Sequence, residues 1–271
     1  PIAEQPLLLA FTVSGRVALL RWEFAGQQPG KLERFLPDSL EGEQVVQVLP
    51  LPSQGSLGLL SSDGRFKRLP VEDFQELSGR ATSVLKLKEG VTLRRVVSGQ
   101  EGDTLVVASS TGRMLRLNLN EANLPLMGRA AQGPMLMRLL PGEAVVGAAC
   151  VPSPPDDSPA EDQATVVLAT AGGQLKRLLV SSLRPCQRGD MGQIGLRLQQ
   201  RGDYLVDLQS PTSAAVGSAV VGSAVLGLLT DKGWSCRIDL NELESEDTSG
   251  TGINLKLPQG QQIQELIPLI N

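Results

Sequence analysis

The sequence predicts an all-β, propeller-like protein of five four-stranded blades. Three observations predict it: a strand–turn–strand motif recurs five times, the copies are almost evenly spaced, and the composition suits short strands joined by turns. The clearest copy is Leu105–Leu117, LVVASSTGRMLRL, an apolar run, a polar turn ending in Gly112, and a second run carrying Arg113 and Arg116. Apolar runs on both sides of a Ser/Thr/Gly turn read as a hairpin. The chain repeats it as LGLLSSDGRFKRL at Leu57–Leu69, VVLATAGGQLKRL at Val166–Leu178 and LGLLTDKGWSCRI at Leu226–Ile238, with a weaker copy, LLAFTVSGRVALL, at Leu8–Leu20.

The turn glycines Gly15, Gly64, Gly112, Gly173 and Gly233 stand 49, 48, 61 and 60 residues apart. Two insertions account for the longer steps. Pro152–Gln163, PSPPDDSPAEDQ, is acidic and Pro-rich and reads as a mobile surface loop; Ser210–Ser223 is rich in Ser, Gly and Ala. The expected blades are residues 1–50, 51–98, 99–150, 164–209 and 224–271 of one domain, with insertions at 152–163 and 210–223.

After each hairpin comes a linker: PVEDFQELSGRA, NLNEANLPLMGRA, LVSSLRPCQRGD and DLNELESEDTSGTG. Val71–Leu77 and Asn241–Glu244 are the segments expected to form short helical turns. A second strand pair follows, in SVLKLKEGVTLRRVV, GPMLMRLLPGEAVVGAA, IGLRLQQRGDYLVDL and INLKLPQGQQIQELI, and ERFLPDSLEGEQVVQVL takes that place in the first unit. Alternation along these strands is imperfect, as expected where inner strands are buried on both faces.

Composition excludes several chemistries. The 271 residues include no His, which removes Ser-His-Asp catalysis, His-ligated zinc and His-based pH switching. Cys150, Cys186 and Cys236 are widely spaced, form no CxxC, and read as reduced core thiols of a cytoplasmic protein. No Walker motif occurs, and Gly250-Thr251-Gly252 lacks the third glycine of a dinucleotide fingerprint. The RGD triplets at Arg188–Asp190 and Arg201–Asp203 read as chance turn sequences, and Tyr204 as a core residue. The uncharged stretch Leu208–Thr230 is too polar and Gly-broken to span a membrane. No signal peptide is visible, and Pro1 in place of an initiator Met suggests a piece of a longer polypeptide. No cofactor or metal is expected, and no catalytic residue.

What recurs besides the hairpin is positive charge. One position past each turn glycine stand Arg16, Arg65, Arg113, Gln174 and Trp234; four positions past stand Leu19, Arg68, Arg116, Arg177 and Arg237. Lys67 and Lys176 precede two of the latter. In the second strand pairs Lys86, Arg138, Arg197 and Lys256 occupy one equivalent place, with Arg34 as a counterpart in the first unit. A single such cation is normally a solvated or edge-guarding residue. Recurrence in a ring turns one position into a belt, which is what contact with a nucleic-acid backbone requires. The net charge of −4 does not exclude a local basic rim.

Units such as VVASSTGRMLRLNLNEANLPLMGRAAQGPMLMRLLPGE resemble the repeats in the C-terminal domains of the A subunits of bacterial DNA gyrase and topoisomerase IV. The resemblance spans essentially the whole chain and is strongest over Leu57–Gly142. It implies a β-pinwheel, whose blades exchange strands and whose basic rim binds and bends duplex DNA. The partners it implies, besides double-stranded DNA, are the rest of the topoisomerase A subunit together with its B subunit. The setting it implies is bacterial and nucleoid-associated. The catalytic and ATPase chemistry would lie outside this chain. The family's signature box, Q-x-R-G-G-x-G, has a degenerate counterpart in CQRGDMG, where Arg188, Gly189 and Gly192 match and Cys186 and Asp190 depart. The alternative class is a protein-interaction propeller that binds no nucleic acid, favoured by the net charge and the acidic loop.

Overall fold

The computed structural model describes residues 7–20, 31–77, 79–153, 164–211, 215–216, 219–220 and 225–268. They form a nearly all-β, five-bladed propeller of the pinwheel type. Blade 1 holds β1 (Leu8–Thr12), β2 (Arg16–Leu19) and β3 (Val45–Pro50); blade 2 holds β4 (Ser56–Ser61) and β5 (Phe66–Pro70). A two-residue strand β6 (Thr82–Ser83) precedes β7 (Leu93–Gly99), which completes blade 2. Blade 3 holds β8 (Thr104–Ser109), β9 (Arg113–Asn118) and β10 (Val145–Val151); blade 4 holds β11 (Thr165–Thr170) and β12 (Gln174–Leu179), then short β13 (Gln193–Ile194), then β14 (Leu205–Gln209). A small hairpin, β15 (Ala215–Val216) with β16 (Ala219–Val220), leads to blade 5: β17 (Val225–Thr230), β18 (Ser235–Asp239), two-residue β19 (Ser245–Glu246) and β20 (Ile253–Asn254), and β21 (Ile263–Pro268).

The sequence explains the three long strands of each blade. Each hairpin turns on its expected glycine: Gly15, Gly64, Gly112, Gly173 and Gly233 all have positive φ, where a side chain is strained. The middle strands β4, β8 and β11 are buried along their whole length, so both faces of a blade are core. In blade 3, Leu105, Val107 and Leu115 face blade 2, while Val106, Ala108 and Met114 face blade 4. Four such clusters join blades 1 to 5 in series, and among the described residues no fifth joins blade 5 to blade 1.

The fourth strand of a blade is not its own. Short β6, from blade 2, pairs with β2 of blade 1; β13, from blade 4, pairs with β9 of blade 3; β19 and β20, from blade 5, pair with β12 of blade 4. Blade 3 donates likewise to blade 2, through the bridges of Arg65 with Met135 and Arg68 with Leu126. In units two to five the second strand pair expected from the sequence is therefore split. Its first strand crosses to the preceding blade, and only its second stays.

Other expectations are corrected in detail. Glu72–Gln75 does form a single helical turn, α1, but Asn241–Glu244 is a hydrogen-bonded turn instead. In blade 1 the expected first strand is replaced by 3-10 turns at Leu32–Phe35 and Asp38–Leu40, and Arg34 lies exposed on the first of them. Tyr204 is no core residue, being 44% exposed at the start of β14. Residues 154–163 of the Pro-rich insertion lie outside the described residues, as does most of Ser210–Ser223. Cys150 is buried, Cys186 and Cys236 are half-buried, and all three are free thiols.

Candidate nucleic-acid interface

The recurrent cations divide into three sets by where the fold puts them. Those one past the turn glycine turn toward the second turn of their own blade or toward chain donated by the next, as Arg113 does to the Met191 carbonyl and Arg65 to that of Gly133. Arg113 is buried, and its guanidinium is paired with Glu143; its Nε donates to Glu143 Oε1 at 3.0 Å and its Nη2 to the Arg138 carbonyl at 3.1 Å. Burial alone would raise the Glu143 pKa, but hydrogen bonds from Arg113, the Leu140 N–H, Ser109 and Thr111 outweigh it and hold the carboxyl at about 2. Arg16 makes the same pairing with Glu43 in blade 1, half-exposed. In blade 2 the acid's place is taken by Val91, and half-buried Arg65 turns to Asp63, 3.4 Å away, and to the Gly133 carbonyl at 3.1 Å. Arg16 and Arg113 thus tie the two turns of their blade together, while Arg65 ties its own turn to the chain that blade 3 donates.

The cations three and four past the glycine bind blade to blade. Lys67 is fully buried, and its ammonium donates to the carbonyls of Val84 and Arg129, both at 2.6 Å. Burial pushes its pKa down to about 8, opposed by nearby Asp73 and assisted by Arg129. Lys176 repeats the arrangement, donating to Gly195 at 3.1 Å and Gly250 at 2.6 Å, its pKa likewise lowered by burial. Buried Arg68 reaches the Leu124 carbonyl at 3.3 Å and Glu101 at 2.7 Å. Arg116 grips the carbonyls of Val180, Ser181 and Leu183 at 3.2, 3.3 and 2.9 Å, and Arg177 that of Leu240 at 2.8 Å. Each of these three arginines holds the linker of the next blade. Lys67, Arg68, Arg113 and Lys176, expected on the belt, are thus enclosed, because the face they occupy is covered by donated chain. Arg237, in blade 5, remains exposed.

The third set faces solvent. Lys86, Arg138, Arg197 and Lys256 are all exposed, each just past the point where a donated strand docks on the preceding blade. At three of those points two successive N–H groups converge on one turn-glycine carbonyl. Val84 and Leu85 donate to Gly15 at 3.0 and 3.3 Å, Leu136 and Met137 to Gly64 at 2.9 and 3.1 Å, and Gly195 and Leu196 to Gly112 at 2.9 and 3.2 Å. Two residues facing one is a β-bulge, which re-aims the side chains beyond it. Both bulge residues turn inward and are buried, and the cation that follows turns out. In the fourth, Leu255 donates to Gly173 at 2.9 Å and Lys256 turns out in the same way. The four exposed cations are therefore structural equivalents, one on each of four successive blade junctions.

A family model described as the DNA gyrase C-terminal domain, beta-propeller, matches residues 59–98, 103–152 and 164–211, about half of the chain. The chain belongs to the DNA gyrase C-terminal domain family. The A subunit of DNA topoisomerase 4 from Synechocystis sp. is 33% identical over 198 residues, covering 68% of this chain and 20% of that relative, so the chain spans about a fifth of its length. The solved DNA gyrase A C-terminal domain superposes with a TM-score of 0.75 at 16% identity, covering 98% of this chain and 83% of that one. The C-terminal domain of DNA topoisomerase IV does so with a TM-score of 0.75 at 16% identity, covering 96% and 78%. These two likenesses show the shared fold.

In this gyrase-type domain the box-like turn is a joint between blades. The Gly189 N–H donates to the Leu136 carbonyl at 2.8 Å, and the Asp190 carbonyl accepts the Arg138 N–H at 3.0 Å. Gly189 and Gly192 have positive φ, and a Cβ on Gly192 would run into the Met114 carbonyl. Arg188 is exposed at the tip of the turn. Strand patterning alone does not reveal the partners of the inward arginines, although a signal was present: the residue after the second-turn glycine is Glu43, Glu143, Asp203 or Gln261 in four of the five units. Among the described residues no group of three or more His, Cys, Asp or Glu is placed to hold a metal, and no helix is long and apolar enough to cross a membrane.

Proposed function

We propose that this domain binds duplex DNA along its rim, without sequence preference, as the C-terminal part of a type IIA topoisomerase A subunit. The observation that carries the reading is the row of equivalent, exposed Lys86, Arg138, Arg197 and Lys256, each set outward by the same docking geometry. Arg237 and Arg188 add exposed charge; Arg16 and Arg65 pair beside the segments that carry the row, and half-buried Arg116 and Arg177 hold the linkers of the next blades. Lysine and arginine on a curved rigid support hold phosphates by charge and release counterions, which gives affinity without reading bases. Bending a duplex by tens of degrees costs on the order of 1–6 kcal/mol, which such contacts offset. Held in that path, a DNA segment is steered toward the cleavage core, which the rest of the enzyme, in its A and B polypeptides, supplies.

The test is binding of random-sequence duplexes across a range of salt. Affinity that is tight at low salt, indifferent to sequence and steeply lost as salt rises supports the reading. A flat salt dependence, or no binding at low salt, refutes it. Nicked circles religated with the bound domain then report geometry: a linking-number change of one sign means a wrapped path, and no change means a planar bend.

A further inference from the structure

Three positions before each outward cation stands a second exposed residue, beside the bulge at three of the four junctions. These residues are Ser83, Met135, Ile194 and Ile253, paired in turn with Lys86, Arg138, Arg197 and Lys256. Three of the four are large and apolar, and Met135 is 36%, Ile194 45% and Ile253 47% exposed. Leu126 and Met191, on the linkers of blades 3 and 4, are exposed as well. Five of the eleven exposed large hydrophobics among the described residues thus lie on donated segments and their linkers. At Met135 and Ile194 the two bulge residues that follow fill the interior instead, and Ile253 is followed by exposed Asn254 and half-buried Leu255.

We propose that Met135, Ile194 and Ile253 are wedges that enter the minor groove of bound DNA and kink it at discrete steps, while the adjacent cations hold the flanking phosphates. The inference rests on the DNA-binding reading above and deepens it. Aliphatic side chains of this kind unstack base steps when pressed into the minor groove, and opening a few steps replaces smooth bending over a short path. The cation three residues along each segment makes a polyanion the fitting occupant of the strip. Aromatic stacking does not compete, because the chain has few aromatics and none at these positions. With Ser83 at the fourth place, the junction of blades 1 and 2 grips phosphate without a wedge. Kinks should favour pyrimidine–purine steps, which unstack most readily.

The experiment uses the whole chain and short duplexes carrying end dyes and 2-aminopurine at TA steps. The chain should raise both end-to-end energy transfer and 2-aminopurine emission. The triple variant Met135→Gln, Ile194→Gln, Ile253→Gln should keep the salt slope, lose the emission rise and much of the bend, and weaken affinity about tenfold. A second variant, Met135→Leu, Ile194→Met, Ile253→Met, should restore both signals, which separates a wedge from a folding defect. Bound DNA with an unchanged bend and dark 2-aminopurine in all three proteins overturns the wedges and leaves phosphate binding standing. No binding by the unsubstituted chain overturns the DNA reading and the wedges with it.

Discussion

Replacing Lys86, Arg138, Arg197 and Lys256 with glutamine should separate binding from folding. All four side chains are exposed, and the docking bonds beside them are made by backbone groups of their neighbours, so the substitutions leave the donated strands docked. Each phosphate contact contributes about −0.9 to the slope of log affinity against log salt, so losing four flattens that slope by about 3.6. Scaled from 1 M to 0.1 M salt, each contact is worth about eightfold, and the four together on the order of 10³ to 10⁴ in affinity. Fluorescence anisotropy of a labelled random duplex at several salt concentrations measures both quantities, with urea unfolding as the check on the fold. The informative control is the variant Lys67→Met, Lys176→Met, whose ammonium groups are spent on carbonyls between blades. It should change stability and leave the salt slope intact. A slope unaltered by the exposed quadruple substitution, or flattened by the buried pair, refutes the division of inward from outward cations.

Three further outcomes follow from the inward set, and one from a turn. Arg113→Met leaves Glu143 buried without its ion-pair partner and should cost about 3–5 kcal/mol in urea unfolding. Because the Glu143 carboxyl sits near 2 when folded and near its ordinary 4.5 when unfolded, its stabilisation is complete above pH 4.5 and is lost as pH falls toward 2; Glu143→Gln should remove that acid limb from a stability–pH profile. Lys67 has the opposite sense: with a folded pKa near 8 against 10.5, the unfolded chain keeps the proton longer, so stability should rise between pH 8 and 10.5, and Lys67→Met should flatten that rise. Gly15→Ala should destabilise by about 1–3 kcal/mol in the same urea assay, since φ there is +78° and a Cβ would lie 2.9 Å from the Leu85 carbonyl.

The hairpins were legible because their determinants are local. A turn glycine between apolar runs specifies strand, turn and strand within 13 residues, as in Leu105–Leu117, and the structure places a positive φ at every one of the five turns. Strand donation was not legible, because the donated strands are two residues long and their partners lie on another blade: Gln193–Ile194 carries no local sign that it belongs beside Arg113 and Met114. Nor was the side on which a cation ends. Alternation in FKRL correctly turns Phe66 and Lys67 to opposite sides, but in a propeller the second side is another interior. Lys67 leaves its own strand and meets the Arg129 carbonyl of the next blade's linker. Consecutive buried residues such as Leu136 and Met137 broke the alternation for a different reason, the bulge at Gly64, which a strand template does not contain.

Recurrence of a charge in a repeat protein therefore has two physical sources that sequence cannot separate. At the position four past the turn glycine the repetition is structural. Arg68, Arg116 and Arg177 each donate to carbonyls of the following linker, so each ties the next blade's chain to its own strand. Blade 1 carries Leu19 there, and its junction with blade 2 is made without such an arginine, while Arg237 of blade 5, whose strand β18 is paired only with β17 among the described residues, stays in solvent. At the position of Lys86, Arg138, Arg197 and Lys256 no junction contact explains the charge, because docking there is done by backbone groups and buried neighbours. A cation repeated in four blades where no junction contact uses it is the observation on which the proposed DNA contact rests.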